Sequence, residues 1–194
     1  MNESYSAVIT DCEFPSIDFE REELADVARV SRHWCRTEED VIEVAKGADA
    51  LLVQYAPLSR RVIQTLTRCK VIGRYGIGVD MIDLEAASEK GIVVVNVPDY
   101  CQEEVSDHAV AMILASCRKI IALHHSVNDG KWDFAIGGIV HRVRDLTVGL
   151  LSFGRIAVRV AEKLRGFGCR MMTFDPFIDP KVAHDSGVEP VDFG

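Results

Sequence analysis

The sequence lacks the features that mark several classes of protein. No apolar run approaches the roughly 20 residues that a membrane-spanning helix requires. The residues after Met1 are polar and include Glu3, so no secretory signal is expected. The six cysteines show no C-x-x-C spacing, and several lie in apolar segments, as reduced and buried thiols do. We therefore expect a cytoplasmic protein with no disulfide framework and no membrane partner.

Positive charge is also scarce. Lysine and arginine number 22 against 30 acidic residues, which gives a formal net charge of -8. Nucleic-acid-binding proteins carry a basic patch or stripe, and none is visible, so no nucleic acid partner is expected. No cluster of histidine, cysteine or acidic residues has metal-ligand spacing, so no metal site is predicted. The 48% hydrophobic content over 194 residues allows one large or two small packed domains.

Short apolar segments alternate with short amphipathic segments in the first half of the chain. This alternation predicts an α/β fold with a parallel sheet and right-handed crossovers. The predicted strands cover residues 7–11, 27–34, 49–53, 71–75 and 92–95, and the predicted helices cover 38–46, 60–66 and 84–90.

The pattern changes after residue 98. Residues 103–124 read as one long helix whose apolar positions nearly encircle it, which predicts burial, partly in a subunit interface. Residues 134–144 read as a loop. A boundary near residues 98–103 would therefore separate two α/β units, and the second would end with a short helix over 180–186 and a strand over 188–191.

A strand–turn–helix–strand unit occupies residues 147–175. Gly154 follows the first strand, and we expect it to make the sharp turn into the helix. A helix N-terminus presents unpaired N–H groups and a partial positive charge, which suit a pyrophosphate. Asp175 lies at the end of the second strand, 21 residues after Gly154. An acid about 20 residues after such a turn can accept hydrogen bonds from the hydroxyls of an adenosine ribose.

The dinucleotide fingerprint in this unit is incomplete. The pattern G-x-G-x-x-G/A reads here as Ser152, Gly154 and Ala157. Ala157 fits the pattern, whereas Ser152 replaces the glycine of the tight turn. A carboxylate at Asp175 would repel a 2′-phosphate, which favours NAD over NADP. The alternative is an ordinary βαβ crossover that carries a glycine in its turn.

A second glycine-rich segment, residues 74–80, follows the strand at 71–75. Two glycines let the backbone approach a ligand closely, and successive N–H groups can form an anion-binding nest. Ligands of open α/β sheets bind beyond the carboxyl ends of the strands. This predicts a substrate carboxylate site, and its residues would be Tyr75, Gly76, Ile77 and Gly78. The alternative is a turn that only reverses the chain.

The remaining polar residues carry no catalytic motif. Glu103, Glu104 and Asp107 fall in the first turns of the long helix, where acids complement the helix dipole. His108 is expected on the surface of that helix or in an interface. No Ser–His–Asp or Cys–His arrangement is recognised, so no catalytic residue is assigned.

Taken in order, these segments resemble the D-isomer-specific 2-hydroxyacid dehydrogenases, the family that includes phosphoglycerate dehydrogenase. The segment 97–108 most resembles the branch with the C-terminal-binding-protein corepressors. Each match is short, but together they run in the family's order along nearly all of the chain. The matching segments are 74–80, 91–98, 105–109, 130–132, 147–157 and 175–176.

The resemblance implies a flavodoxin-like substrate domain over residues 1–100, followed over 101–194 by the N-terminal part of a Rossmann NAD-binding domain. It implies a small 2-hydroxy or 2-keto acid substrate, faced by the 76–79 backbone, and a homodimer formed through the 103–124 helix. It also implies an NAD site formed by Ser152, Phe153, Gly154, Arg155, Ile156 and Asp175.

The chain departs from the family at several positions. Besides Ser152, Met81 stands where the family usually has Asn, Asp107 where it usually has Glu, and residues 145–146 where it usually has Gly-Lys. By resemblance, the family's catalytic Arg, Glu and His would lie beyond Gly194. We therefore expect a fragment or truncated form of an NAD-dependent D-2-hydroxyacid dehydrogenase that does not turn over alone. The alternatives are an NAD-sensing, corepressor-like dimeric interaction protein and an inactive stub.

Overall fold

The computed structural model describes residues 5–193, which form two compact units, one up to Tyr100 and one from Cys101 onward. The first unit contains the strands β1 (Tyr5–Ile9), β2 (Ala28–Arg32), β3 (Ala50–Val53), β4 (Val71–Arg74) and β5 (Val93–Val95). All pair in parallel in the order β2-β1-β3-β4-β5. This is the strand order of flavodoxin-like folds, and it confirms the predicted α/β class.

The helices of the first unit follow from local capping and from apolar spacing. They are α1 (Asp18–Glu23), α2 (Glu38–Ala45), α3 (Arg60–Thr65) and α4 (Leu84–Glu89). Helix α1 was not predicted, because its six residues are mostly charged and none of them is buried. Helix α2 begins with a capping box, in which Thr37 Oγ1 accepts from Asp40 N and the Asp40 carboxylate accepts from Thr37 N.

The core of the first unit lies between the sheet and its helices. The strands bury Leu51, Val53 and Ile72 against Val41 of α2 and Val62 of α3, and none of these side chains is exposed. Burying an aliphatic side chain of this size contributes about 1.5–3 kcal/mol. The core therefore fixes the carboxyl ends of β3 and β4. The glycine-rich segment begins at the end of β4.

The second unit contains a three-stranded parallel sheet. Its elements are α5 (Gln102–Cys117), α6 (Ile120–Asn128), β6 (Thr147–Leu151), α7 (Arg155–Leu164), β7 (Arg170–Phe174), α8 (Pro180–Asp185) and β8 (Glu189–Pro190). The strands pair in the order β6-β7-β8. Helix α7 buries Val160, Ala161 and Leu164, because these positions recur at helical spacing on one face.

The prediction of one long helix over residues 103–124 is wrong. The structure has two helices, α5 and α6, bent by 65°. At the break, Lys119 takes a left-handed backbone with φ of 57°. Apolar residues continue on both sides of the break, so the sequence pattern does not reveal it. The bend lets α6 pack against a 3₁₀ helix, Phe134–Gly137, in the segment that we predicted to be a loop.

The predicted burial of this segment is also wrong for the chain by itself. The only buried residue of α5 is Ser106, and the only one of α6 is Ser126.

Within residues 5–193, no single helix is long and apolar enough to cross a membrane, and α5 with α6 passes that test only as a bent pair. In the same residues, no three or more His, Cys, Asp or Glu side chains are grouped so that they can hold a metal ion.

Candidate functional site

The turn between β6 and α7 has a residue with a left-handed backbone, Ser152. Ser152 N donates to the Phe174 carbonyl oxygen at 2.8 Å, which keeps the chain beside β7 for one residue after Leu151. Ser152 then adopts a left-handed backbone with φ of 74°. Gly154 has a φ of -75° and a ψ of -174°, which is extended and open to any residue. The chain bends at Gly154 as we expected, but the left-handed residue of the turn is Ser152.

Asp175 follows β7 and is held by donors of the chain itself. Its Oδ2 accepts from Phe153 N at 2.8 Å and from Ser152 Oγ at 3.1 Å, and its Oδ1 accepts from Phe177 N at 2.9 Å. These bonds lower the pKa of Asp175, with the largest effect from the Phe153 N–H and the next from the Phe177 N–H. Asp175 is therefore an ionised carboxylate at neutral pH.

The N-terminus of α7 presents free donors beside this carboxylate. Within the described residues, the N–H groups of Ile156 and Ala157 have no hydrogen-bond partner. A Cβ added at Gly154 would meet no protein atom within 4 Å, so the chain's own packing does not require a glycine there. Open space and unpaired N–H groups at a helix start are what a phosphate group requires. The residues present thus fit the pyrophosphate of a dinucleotide, with Arg155 exposed at the first helical position.

A cavity of about 400 Å³ lies next to Asp175, beyond the carboxyl ends of β7 and β8. Its wall includes Pro176, Ile178, Pro190 and Val191, so it offers apolar surface beside two carboxylates, those of Asp175 and Asp192. This combination suits a base with an attached ribose. We did not predict these wall residues, although the sequence signal was present as prolines and aliphatic residues at or shortly after the ends of two strands.

The glycine-rich segment after β4 forms an open loop. Gly76 has a φ of 145°, and its carbonyl oxygen accepts from Val97 N at 3.0 Å. Asn96 Nδ2 donates to the Ile77 carbonyl oxygen at 2.7 Å. These bonds hold the carbonyl groups of the loop. In the part of the chain that is described, the N–H groups of Ile77, Gly78 and Val79 have no hydrogen-bond partner.

Tyr75 begins this loop, but its side chain has partners in the rest of the first unit. Its hydroxyl donates to Glu20 Oε1 at 2.8 Å, and its ring packs edge-on against Phe14 with centroids 5.7 Å apart. Burial, followed by the bond to Glu20, raises the pKa of Tyr75 well above its usual value. The tyrosine thus connects the start of the loop to Glu20 of α1 by a hydrogen bond.

Arg74 is a residue of this loop that we did not assign from the sequence. Its guanidinium lies against Gly76, where an added Cβ would overlap it. Its Nε is buried and has no hydrogen-bond partner among the described residues. The signal was an arginine at a strand end beside two glycines. A cation there favours an anionic ligand at the loop.

The acids at the start of α5 bind a lysine of the neighbouring helix. Lys163 Nζ on α7 donates to Asp107 Oδ1 at 2.6 Å and to Ser106 Oγ at 2.7 Å, and it pairs with Glu103 Oε2 at 2.9 Å. His108 is exposed on α5. The cluster therefore joins two helices of the second unit and contains no base–nucleophile pair.

Comparison with known proteins places these features in one family. The model for the D-isomer specific 2-hydroxyacid dehydrogenase catalytic domain matches residues 8–178. D-3-phosphoglycerate dehydrogenase of Methanocaldococcus jannaschii is 39% identical over 171 residues, which are 87% of this chain and 32% of that protein. Glyoxylate reductase of Korarchaeum cryptofilum is 30% identical over 155 residues, which are 78% of this chain and 47% of that protein.

A solved structure gives the same result for the fold. D-lactate dehydrogenase from Aquifex aeolicus, complexed with NAD and lactic acid, matches with a TM-score of 0.84 at 25% identity. The match covers 95% of this chain and 55% of that one. The chain thus spans about a third to a half of the curated relatives just described. The family model covers most of the described residues, and the chain therefore belongs to the D-isomer specific 2-hydroxyacid dehydrogenase family.

Proposed function

We propose that this chain forms part of an NAD-dependent oxidoreductase that acts on the CH–OH group of a D-2-hydroxy acid or on its 2-keto partner. Residues 1–100 would form the substrate domain, and residues 101–194 the N-terminal part of the NAD-binding domain. The observation that carries the proposal is the ionised Asp175 beside the open N-terminus of α7. The expected cytoplasmic location stays a prediction.

The second unit would bind the adenosine and pyrophosphate parts of NAD. Gly154, Arg155 and Ile156 would hold the pyrophosphate at the start of α7, and Ser152, Phe153 and Asp175 would lie at the adenosine ribose. The charge of Asp175 supports NAD over NADP, because a 2′-phosphate would lie against a carboxylate. When it is bound, the nicotinamide supplies the hydride acceptor of the oxidation.

The first unit would bind the carboxylate of the substrate. The free N–H groups of Ile77, Gly78 and Val79 form a nest that suits an anion, and Arg74 adds positive charge beside it. Tyr75 and Gly76 would contribute through their backbone positions. No described residue is assigned as the base that removes the hydroxyl proton, which oxidation of an alcohol requires. We propose that the chain binds its ligands without turning them over.

One observation favours a dimer as well. Met112 on α5 is 61% exposed and Ile121 on α6 is 62% exposed, and both line an apolar depression at the bend between the helices. Exposed apolar patches of this kind mark interaction sites. We propose that this surface contacts a second copy of the chain. A dinucleotide-sensing interaction protein of the corepressor type would use the same dimer.

The test of the cofactor proposal is calorimetric titration of the 194-residue chain with NAD and with NADP. We expect NAD to bind at least tenfold more tightly than NADP. Asp175→Asn should weaken NAD binding by about tenfold or more, because a hydrogen bond to a charged group is stronger than one to a neutral group. The same change should reduce the ratio of the affinity for NAD to the affinity for NADP.

The matched control is Asp179→Asn. Asp179 caps α8 by accepting from Lys181 N at 2.9 Å, so this change also removes a capping charge from the second unit. Asp179 does not line the cavity beside Asp175, and NAD affinity should stay within twofold of the unchanged chain. Equal affinity for NAD and NADP in the unchanged chain would contradict the proposed role of Asp175.

A further inference from the structure

The carboxylate of Asp175 has few acceptor positions left. A carboxylate offers about four lone-pair sites. Its Oδ2 already accepts from Phe153 N and from Ser152 Oγ, and its Oδ1 accepts from Phe177 N. The N–H of Ile178 adds a weaker interaction with the same group. At most one site therefore remains, on Oδ1.

The donors that occupy Asp175 are not equally easy to remove. The N–H groups of Phe153 and Phe177 are fixed by the backbone at the ends of β6 and β7. The hydroxyl of Ser152 can rotate away by a change of its side-chain torsion alone. A ribose presents two neighbouring hydroxyls and needs two acceptor sites. Of the groups bound to Asp175, the Ser152 hydroxyl is the one that such a ligand can displace.

Ser152 can affect the site in two ways, through its strained backbone and through its hydroxyl. With a φ of 74°, a side chain at this position strains the backbone, which glycine would not. Glycine at position 152 would remove both this strain and the hydroxyl. Alanine would remove the hydroxyl and keep the strain. The two substitutions therefore distinguish a backbone effect from a hydrogen-bonding effect.

We propose that the Ser152 hydroxyl competes with the adenosine ribose for the Asp175 carboxylate and thereby lowers the affinity of this site for dinucleotides. The inference rests on the proposed function, because it takes the site to bind the adenosine half of NAD. Ribose binding must break the bond from Ser152 Oγ to Oδ2, and the affinity is reduced by the free energy of that bond. Ser152 thus sets the strength of cofactor binding without excluding the cofactor.

The experiment is titration of the 194-residue chain and its Ser152→Ala and Ser152→Gly variants with ADP-ribose. Both variants should bind about three- to tenfold more tightly than the unchanged chain, since a net hydrogen bond of this strength is lost from the free state. 2′,3′-Dideoxyadenosine 5′-diphosphoribose, which lacks the hydroxyls of the adenosine ribose, should bind all three proteins within twofold. In thermal unfolding without ligand, Ser152→Gly should have a higher midpoint than Ser152→Ala.

Ser186→Ala is the matched control, because Ser186 Oγ donates to the Val182 carbonyl oxygen within α8 at 2.9 Å and does not contact Asp175. It should leave ADP-ribose affinity unchanged. Weaker or equal ADP-ribose binding by Ser152→Ala would overturn the competition, as would equal tightening for the dideoxy ligand. In either case the cofactor site itself would stand. Absence of ADP-ribose binding by every variant would overturn both the site and the competition.

Discussion

The hydroxyl of Ser152 lies 3.1 Å from Oδ2 of Asp175 and donates a hydrogen bond to it, although 23 positions separate the two residues in the chain. The parallel register of β6 and β7 pairs Leu151 with Phe174. Ser152 and Asp175 follow directly after this last pair. The carboxyl ends of parallel strands meet at one edge of the sheet, so the turn and the acid become neighbours. Strand pairing thus assembles the candidate cofactor site.

Gly154 offers a test of whether space has been kept for a ligand. We expect Gly154→Ala to change the free energy of unfolding by less than about 1 kcal/mol, because the gain from an extended backbone with an unobstructed Cβ is opposed by the preference for glycine over alanine at an N-cap. The same change should weaken NAD binding at least tenfold, since the methyl group would occupy the space next to the pyrophosphate. Urea unfolding and calorimetry measure the two effects.

Gly149→Ala is the control for Gly154. A Cβ at Gly149 likewise meets no atom within 4 Å, and the residue is exposed on β6. Its effect on stability should be of similar size, and its effect on NAD affinity should be less than twofold. If both variants bind NAD as the unchanged chain does, Gly154 does not approach the cofactor.

The depressed pKa of Asp175 gives a prediction about pH. The folded carboxyl has a pKa below the usual aspartate value, so its contribution to stability is complete above about pH 5 and is lost as pH falls through the folded pKa. The difference in unfolding midpoint between the unchanged chain and Asp175→Asn should therefore be constant from pH 8 to about pH 5. It should shrink below about pH 4, as thermal melts across this range would measure. A difference that shrinks already between pH 7 and pH 6 would show a raised pKa.

Lys163 should stabilise the contact between α5 and α7. Its pKa is raised, first by the hydrogen bond to Asp107, so the ammonium binds the α5 acids from neutral pH up to its folded pKa and is lost above it. Lys163→Met should lower the urea midpoint at pH 7 and low salt, and the loss should be smaller at 1 M salt. Lys181→Met, at the exposed start of α8, is the control and should change the midpoint little. A loss that is equal at both salt concentrations would point to packing of the lysine stem.

The surface at the bend between α5 and α6 should control association. In sedimentation velocity we expect the unchanged chain to form a dimer and the Met112→Glu and Ile121→Glu variants to sediment as monomers, because a buried charge would oppose an apolar contact. Val182→Glu, which alters an equally apolar but separate exposed position on α8, should leave the dimer intact. A monomeric unchanged chain at micromolar concentration would contradict the proposed dimer.

The elements that the sequence predicted well are those with strong local signals. The strands around Leu51 and Ile72 are short aliphatic runs, and α2 begins at a capping threonine, so both could be found by pattern. The break at Lys119 could not, because no glycine or proline marks it and apolar residues continue on both sides. Helix α1 has no buried residue, so no apolar spacing marked it. The role of Tyr75 was also hidden, because Glu20 lies 55 residues before it.

By itself the sequence determined the α/β class, the order of the strands, and the placement of an acid and a helix start after neighbouring strands. These features depend on local propensity and apolar period, which one sequence contains. Only the tertiary structure decided that the left-handed turn falls on Ser152, that its hydroxyl reaches Asp175, and that Gly154 keeps open space. Backbone torsions and distances between strands depend on how β6 and β7 pair and on the packing of α7 against them, and no local pattern encodes these contacts.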